Sequence, residues 1–307
     1  MTPNIVCGID QSPEARAATR LAAALTERLN GRLSLVHAVA ASASSAMPSW
    51  PYPASIGDTS VRGSLHEAGE RLMSETLEDI APCDAIGRIE DGHAPERICV
   101  AAEEEDAALI VLGTRGQGAS RAALLGSVSL ATIRGTSRPV VVVPPAATRG
   151  RSLDGECLVC GIGGPDDTGP ARVAARLARA LDMPLTFAHV APRQDAELSG
   201  STIAAVPLAA PAQPSERPVL QGRAALTGAT DTVREVAPEL AGARMLAGDP
   251  AEQLRQLAEQ ERAAMVVVGT RGRGALGSGL LGSVSHSLAC SGTTPVVVCP
   301  ERATAGA

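Results

Sequence analysis

The chain has 307 residues and a formal net charge of −6, and all 27 of its basic side chains are Arg. That length is about twice a common domain of ~100–150 residues and predicts two domains, while the absence of a basic run and a total of one Phe, one Tyr and one Trp argue against nucleic acid as the main ligand. No apolar run approaches the ~18–20 residues of a membrane span and no basic leader precedes the first apolar segment, so a cytoplasmic protein with no membrane partner is expected.

In chain order, the first predicted strand is Ile5–Ile9, followed by a helix from Pro13 to Asn30 with Ser12 as its cap and Gly31 at its end. Ala17, Leu21, Ala24, Leu25 and Leu29 are expected to share its buried face. A second strand covers Leu33–Val39, and an Ala/Ser/Pro-rich stretch from Ala40 to about Gly63 reads as a loop before a helix near Leu65–Ile80. Strand three lies near Ala85–Glu90, and Pro95 opens a helix running to Asp106. Strands four, Ala108–Leu112, and five, Val140–Val143, are continuous apolar runs, as expected of parallel strands covered on both faces.

The second half repeats this plan. LIVLGTRGQGASRAALLGSVS, beginning at Leu109, returns as MVVVGTRGRGALGSGLLGSVS from Met265, with Gly113 to Gly269, Gly126 to Gly282 and Pro139 to Pro295 all offset by 156. IVCGID from Ile5 returns as LVCGIG from Leu158, and a loop over Ala191–Gly222 matches Ala40–Gly63. The repeat and the strand–helix alternation predict an α/β protein of two doubly wound domains, 1–146 and 154–303, with a linker about 147–153. Cys157 and Cys160 form a C-x-x-C pair, but three residues apart on a strand they face opposite ways and are expected to be reduced, buried thiols.

The informative unit is the loop after strand four. Gly113, two residues, Gly116, nine residues, Gly126 and Ser127 precede a helix; Gly269, Gly272, Gly282 and Ser283 repeat the spacing. Close approach of backbone N–H groups to a polyphosphate demands residues without Cβ, and a helix start supplies unpaired N–H groups at the positive end of its dipole. Those groups belong to Ser127, Val128 and Ser129 in the first half and to Ser283, Val284 and Ser285 in the second. Arg115 and Arg271 are candidates for charge-assisted contacts.

Other motifs fit less well. Gly272, Gly274 and Gly277 spell G-x-G-x-x-G after the wrong strand, and no Lys exists to complete a Walker A loop. His93 has no partner at metal-ligand spacing, so no metal site is expected. His37 and His189 recur at equivalent strand positions and read as packed or backbone-bonded.

Through these residues the chain resembles the universal stress protein family in its tandem form, over nearly its whole length. The resemblance implies two five-stranded parallel sheets of order 3-2-1-4-5, paired through their fifth strands as an intrachain pseudo-dimer, with a further homodimer of chains left open. It implies ATP, with or without Mg²⁺, at Gly8, Ile9, Asp10 and Ala38 on the adenosine side and at Gly113, Thr114, Arg115, Gly116, Gly118, Gly126, Ser127, Val128 and Ser129 on the phosphate side. The second set is Gly161, Ile162, Val190, Gly269, Thr270, Arg271, Gly272, Gly274, Gly282, Ser283, Val284 and Ser285. Asp10 would accept from the ribose hydroxyls or the adenine amine, whereas Gly163 stands at its place in the second half. Asp166 and Asp167 follow too late to be counted on as substitutes, so unequal sites are expected, the first tighter.

The function implied is a nucleotide-responsive stress or dormancy regulator with an unidentified regulatory protein partner. No catalytic residue is expected, because no general base is evident beside the phosphates. A slow ATPase, or a nucleotide-free adaptor that binds a protein through its variable loops, are the alternatives.

Overall fold

Short runs of Val, Leu and Ile that bury both faces of a strand, alternating with amphipathic helices, leave one economical packing: a parallel sheet between helical layers. The computed structural model has this architecture. It describes residues 2–39, 58–114, 125–144, 153, 155–165, 167–191, 217–234, 241–270 and 281–300. The chain forms two compact units, Met1–Leu153 and Asp154–Ala307.

In the first unit the order is β1 (Asn4–Gly8), α1 (Pro13–Arg28), β2 (Arg32–Val39), α2 (Asp58–Asp79), β3 (Ala85–Asp91), α3 (Ala94–Glu104), β4 (Leu109–Gly113), α4 (Ser127–Gly135) and β5 (Val140–Val143). Parallel pairing of β1 with β2 and β4, of β2 with β3 and of β4 with β5 gives the order 3-2-1-4-5. From β1 the chain winds outward through β2 and β3, then returns to β4 on the other side. The reversal between β1 and β4 opens a crevice beyond the carboxyl ends of these strands, where ligands of open α/β sheets bind.

The second unit repeats the sequence of elements as β6 (Cys157–Gly161), α5 (Thr168–Leu181), β7 (Leu185–Ala191), α6 (Arg217–Arg234), β8 (Ala241–Ala247), α7 (Pro250–Gln260), β9 (Ala263–Gly269), α8 (Ser283–Ser291) and β10 (Val296–Cys299). Its parallel order is 8-7-6-9-10.

Aliphatic side chains fill both cores. Ile5, Val6, Ile110, Val111 and Val140–Val142 are fully buried in the first sheet, and the single Phe of the chain, Phe187, is fully buried in the second. Each contributes roughly 1.5–3 kcal/mol of hydrophobic stabilisation. Ser12 caps α1 as expected, its Oγ accepting from Ala15 N at 3.1 Å ahead of Pro13.

The structure corrects three expectations. The buried face of α1 carries Ala18, Leu21, Ala22 and Leu25 together with Thr19 and Thr26, while Ala17, Ala24 and Leu29 sit at its margin. The two threonines turn inward because their hydroxyls donate to the carbonyls of Ala15 and Ala22 one turn back, leaving only methyl groups to bury. Helix α2 starts at Asp58, within the stretch read as loop. Residues 62–65 are all exposed, so the early part of this helix shows no apolar period to detect. In the second half, α6 likewise begins at Arg217, inside the expected loop. Ala191, expected to open the second loop, ends β7, and residues 40–57 and 192–216 of the two loops and 147–152 of the linker lie outside the described residues.

Cys157 and Cys160 are free thiols with different surroundings. Cys157 Sγ donates to Glu261 O at 3.4 Å, whereas Cys160 is wholly buried. Burial is the main cause of a raised pKa at both, to about 11 at Cys157.

Candidate functional site

Four chain segments form the floor of the crevice of the first unit, and α2 and α3 close its sides. Beyond Gly8 the chain turns through Ile9, Asp10 and Gln11 into α1. Ile9 N donates to Val36 O at 2.9 Å, and the Ile9 carbonyl accepts from His37 Nδ1 at 3.1 Å, so this turn is bound to β2 on both sides of one residue. Asp10 Oδ1 accepts from Ser12 N at 2.9 Å, which fixes the carboxylate at the rim.

The third and fourth segments are the end of β4 and the start of α4. A Cβ on Gly113 would stand 2.7 Å from the Glu14 carbonyl carbon and 2.9 Å from Ala15 N, so only glycine lets the end of β4 approach the first turn of α1. The chain leaves β4 at Thr114 and returns at Gly126, where Gly126 N donates to Thr114 O at 2.7 Å. Thr114 is fully buried; its N–H and hydroxyl both reach Val143 O, at 3.0 and 2.7 Å, tying the end of β4 to the end of β5. Ser129 Oγ donates to Gly113 O at 2.7 Å and holds the first turn of α4 over the strand end.

Gly126, the N-cap of α4, offers no side chain, and the helical ladder begins with Leu130 N donating to Gly126 O at 3.0 Å. The N–H groups of Ser127, Val128 and Ser129 therefore have no partner within the helix. Ser127 is exposed, Val128 half-buried and Ser129 buried.

These segments enclose a cavity of about 390 Å³, within the usual range for small-ligand sites. Leu65 and Ala68 of α2, Val36 and Val39 of β2 and Ile98 of α3 form its apolar walls, and Asp10, Gln11, Gly113, Val128 and Ser129 line its polar part. Gly8, Ile9 and Ala38 also line it. Of the expected residues, Gly8, Ile9, Asp10, Ala38, Gly113, Val128 and Ser129 line the cavity, whereas Thr114, Gly126 and Ser127 lie outside its lining. Arg115, Gly116 and Gly118 lie outside the described residues.

The second unit repeats the scaffold. Ile162 N donates to Ala188 O at 2.8 Å just beyond Gly161, His189 Nδ1 donates to Ile162 O at 2.7 Å, and Val190 follows on β7. Thr270, next to Gly269, donates through its N–H to Cys299 O at 3.1 Å, and Gly282 N donates to Thr270 O at 2.6 Å. Gly282 caps α8 without a side chain, ahead of Ser283, Val284 and Ser285. Ser285 Oγ turns to Gly282 O at 3.0 Å, where its counterpart Ser129 reaches the preceding strand. Arg271, Gly272 and Gly274 lie outside the described residues.

At the place of Asp10 the units diverge, in a way the sequence reading did not foresee. The Asp167 side chain does fold back: its Oδ2 accepts from Gly163 N at 3.1 Å. Burial raises the Asp167 pKa above the usual carboxylate range, and the Gly163 N–H opposes this only in part. The carboxylate that restores an acceptor here is turned inward and harder to ionise.

The sequence profile of the universal stress protein family matches residues 1–144 and again 158–300. The chain belongs to the universal stress protein family. A universal stress protein of Mycolicibacterium smegmatis is 28% identical over 301 residues, covering 97% of each chain. A universal stress protein of Mycobacterium tuberculosis is 29% identical over 317 residues, covering 98% of this chain and 97% of its own. Among solved structures, a universal stress protein from Archaeoglobus fulgidus covers 97% of this chain and 98% of its own with a TM-score of 0.63 at 16% identity, a likeness of fold.

For this universal stress protein, the lining residues that the sequence reading missed are mainly Gln11, Leu65, Ala68, Gly69, Ala94 and Ile98. Most carry no chemical signature. Gly69 does carry one, since it and Gly222 are glycines inside helices at equivalent places in the repeat. No helix among the described residues is long and apolar enough to cross a membrane.

Proposed function

We propose that this protein binds ATP in the crevice of its first unit and acts as a nucleotide-responsive stress regulator. The observation that carries the reading is the polarity of a single cavity: apolar walls from Leu65, Ala68 and Ile98 lead to a glycine-capped helix start at Val128 and Ser129. A flat base buries against the first, and phosphates take the N–H groups left unpaired within the helix at the second. Asp10 at the rim is an acceptor for ribose hydroxyls. Where Mg²⁺ accompanies the nucleotide, it is held mainly by the phosphates and water.

Binding rather than turnover suits this lining. Asp10 is the one carboxylate among the described lining residues, and its Oδ1 already accepts from Ser12. The second unit, with Gly163 and an inward Asp167, is the weaker site. A regulatory output requires a protein partner that distinguishes the loaded from the empty state, with the nucleotide setting the population of each.

Two measurements on purified protein test the reading. Denaturation followed by chromatography of the supernatant should release an adenine nucleotide, and added ATP at about 100 times its dissociation constant should stabilise the fold by ~2.7 kcal/mol. Absence of both would reject nucleotide binding and favour an adaptor.

A further inference from the structure

His37 is part of the cavity wall and has no role in holding phosphate. Its Nδ1 lies 3.1 Å from Ile9 O. A carbonyl oxygen only accepts, so Nδ1 carries the proton, and in the neutral ring Nε2 is then an acceptor. Nε2 hydrogen-bonds to no other described residue.

The opposite edge of the ring is held by α2. A Cβ on Gly69 would stand 2.9 Å from His37 Cδ2 and 3.4 Å from Nε2, so the helix reaches the imidazole only because residue 69 is glycine. Ile9, His37 and Gly69 all line the cavity, and Ala38, Leu65 and Ala68 complete its wall around them. The ring orientation is therefore fixed from both sides, on β2, which is separated from β4 and the start of α4 by β1. The second unit has the same interlock: His189 Nδ1 donates to Ile162 O at 2.7 Å, and a Cβ on Gly222 would collide with His189 Cδ2. The arrangement persists although the units differ at Asp10 and Gly163.

We infer that His37 determines base specificity, with Nε2 accepting a hydrogen bond from the exocyclic amino group of a 6-aminopurine. The inference rests on the nucleotide reading above. A 6-oxopurine sets a carbonyl acceptor against this acceptor, so each loses a partner on leaving water.

The test is calorimetric titration of the full chain with ATP and with ITP. Every protein compared carries Gly282→Asp, which sets a carboxylate at the start of α8 so that the first unit is read. With His37 intact, ATP binds about tenfold or more tightly than ITP. In His37→Asn, whose amide N–H retains a donor for Ile9 O but has no acceptor at the Nε2 position, the preference falls to within about twofold. A ligand-side measurement needs no change at His37: purine riboside triphosphate, which lacks any 6-substituent, binds with an affinity between those of ATP and ITP. An ATP preference unchanged in His37→Asn, or no preference in the protein with His37, overturns the inference and leaves nucleotide binding standing. Failure of both ATP and ITP to bind overturns the nucleotide reading itself.

Discussion

The substitution Val128→Asp separates phosphate recognition from folding. Val128 occupies the second position of α4 and lines the cavity. An acidic side chain in the first turn of a helix interacts favourably with the dipole by ~0.3–1 kcal/mol, which offsets the roughly 1 kcal/mol lost with a half-buried isopropyl group. The same carboxylate lies where phosphate is expected. At ~5 Å and an effective dielectric constant of ~20, it repels each unit of phosphate charge by about 3 kcal/mol, or more than a hundredfold in affinity. Adenosine, which has no phosphate, should bind within about threefold of its original affinity. Calorimetric titrations with ATP and adenosine, beside a thermal melt, read all three quantities. A folded variant that keeps its ATP affinity would refute the placement of phosphate at α4, and equal losses for ATP and adenosine would refute the electrostatic argument.

Asp10→Asn keeps an acceptor for Ser12 N, so its melting temperature should change little while ATP affinity drops roughly ten- to a hundredfold by titration; unchanged affinity would remove Asp10 from the ribose. Burial raises the Asp167 pKa in the folded state, so the folded chain binds more protons than the unfolded chain between the two values, and stability falls as pH rises through that window. Asp167→Asn, free of that loss, should be more stable than the parent in urea at neutral pH, with the difference shrinking as the pH drops to the usual carboxylate range; a variant less stable at neutral pH would contradict the sign. Burial pushes the Cys7 thiol up to about 12 and Cys157 to about 11, so a thiol reagent at mildly alkaline pH should modify both far more slowly in the native protein than after denaturation. Equal rates, read by mass spectrometry of peptides, would contradict their burial.

The features most legible in the sequence were those with a strong local physical cause. Val140–Val143 could only be a strand covered on both faces, and it has the expected bounds. Ser12 and Pro13 announced the start of α1. At the site, Gly113 and the first turn of α4 were legible because glycine spacing and a helix start carry their own chemistry, whereas Asp10 came only from the family resemblance. The start of α2 was hidden because its exposed turns have no apolar period. Leu65, Ala68 and Ile98 become cavity walls only through tertiary packing, which spacing does not encode. Asp167 was discounted on sequence distance, yet the turn before α5 brings it back to Gly163.

ATP is proposed to occupy the crevice between β1 and β4 of the first unit. Hydrogen exchange with and without saturating ATP, followed by mass spectrometry of peptides, locates the ligand directly on the full chain. ATP in this crevice adds protection in peptides covering residues 8–12, 36–39, 65–69 and 126–130. Bound ATP that protects other segments and leaves these unchanged would contradict that placement.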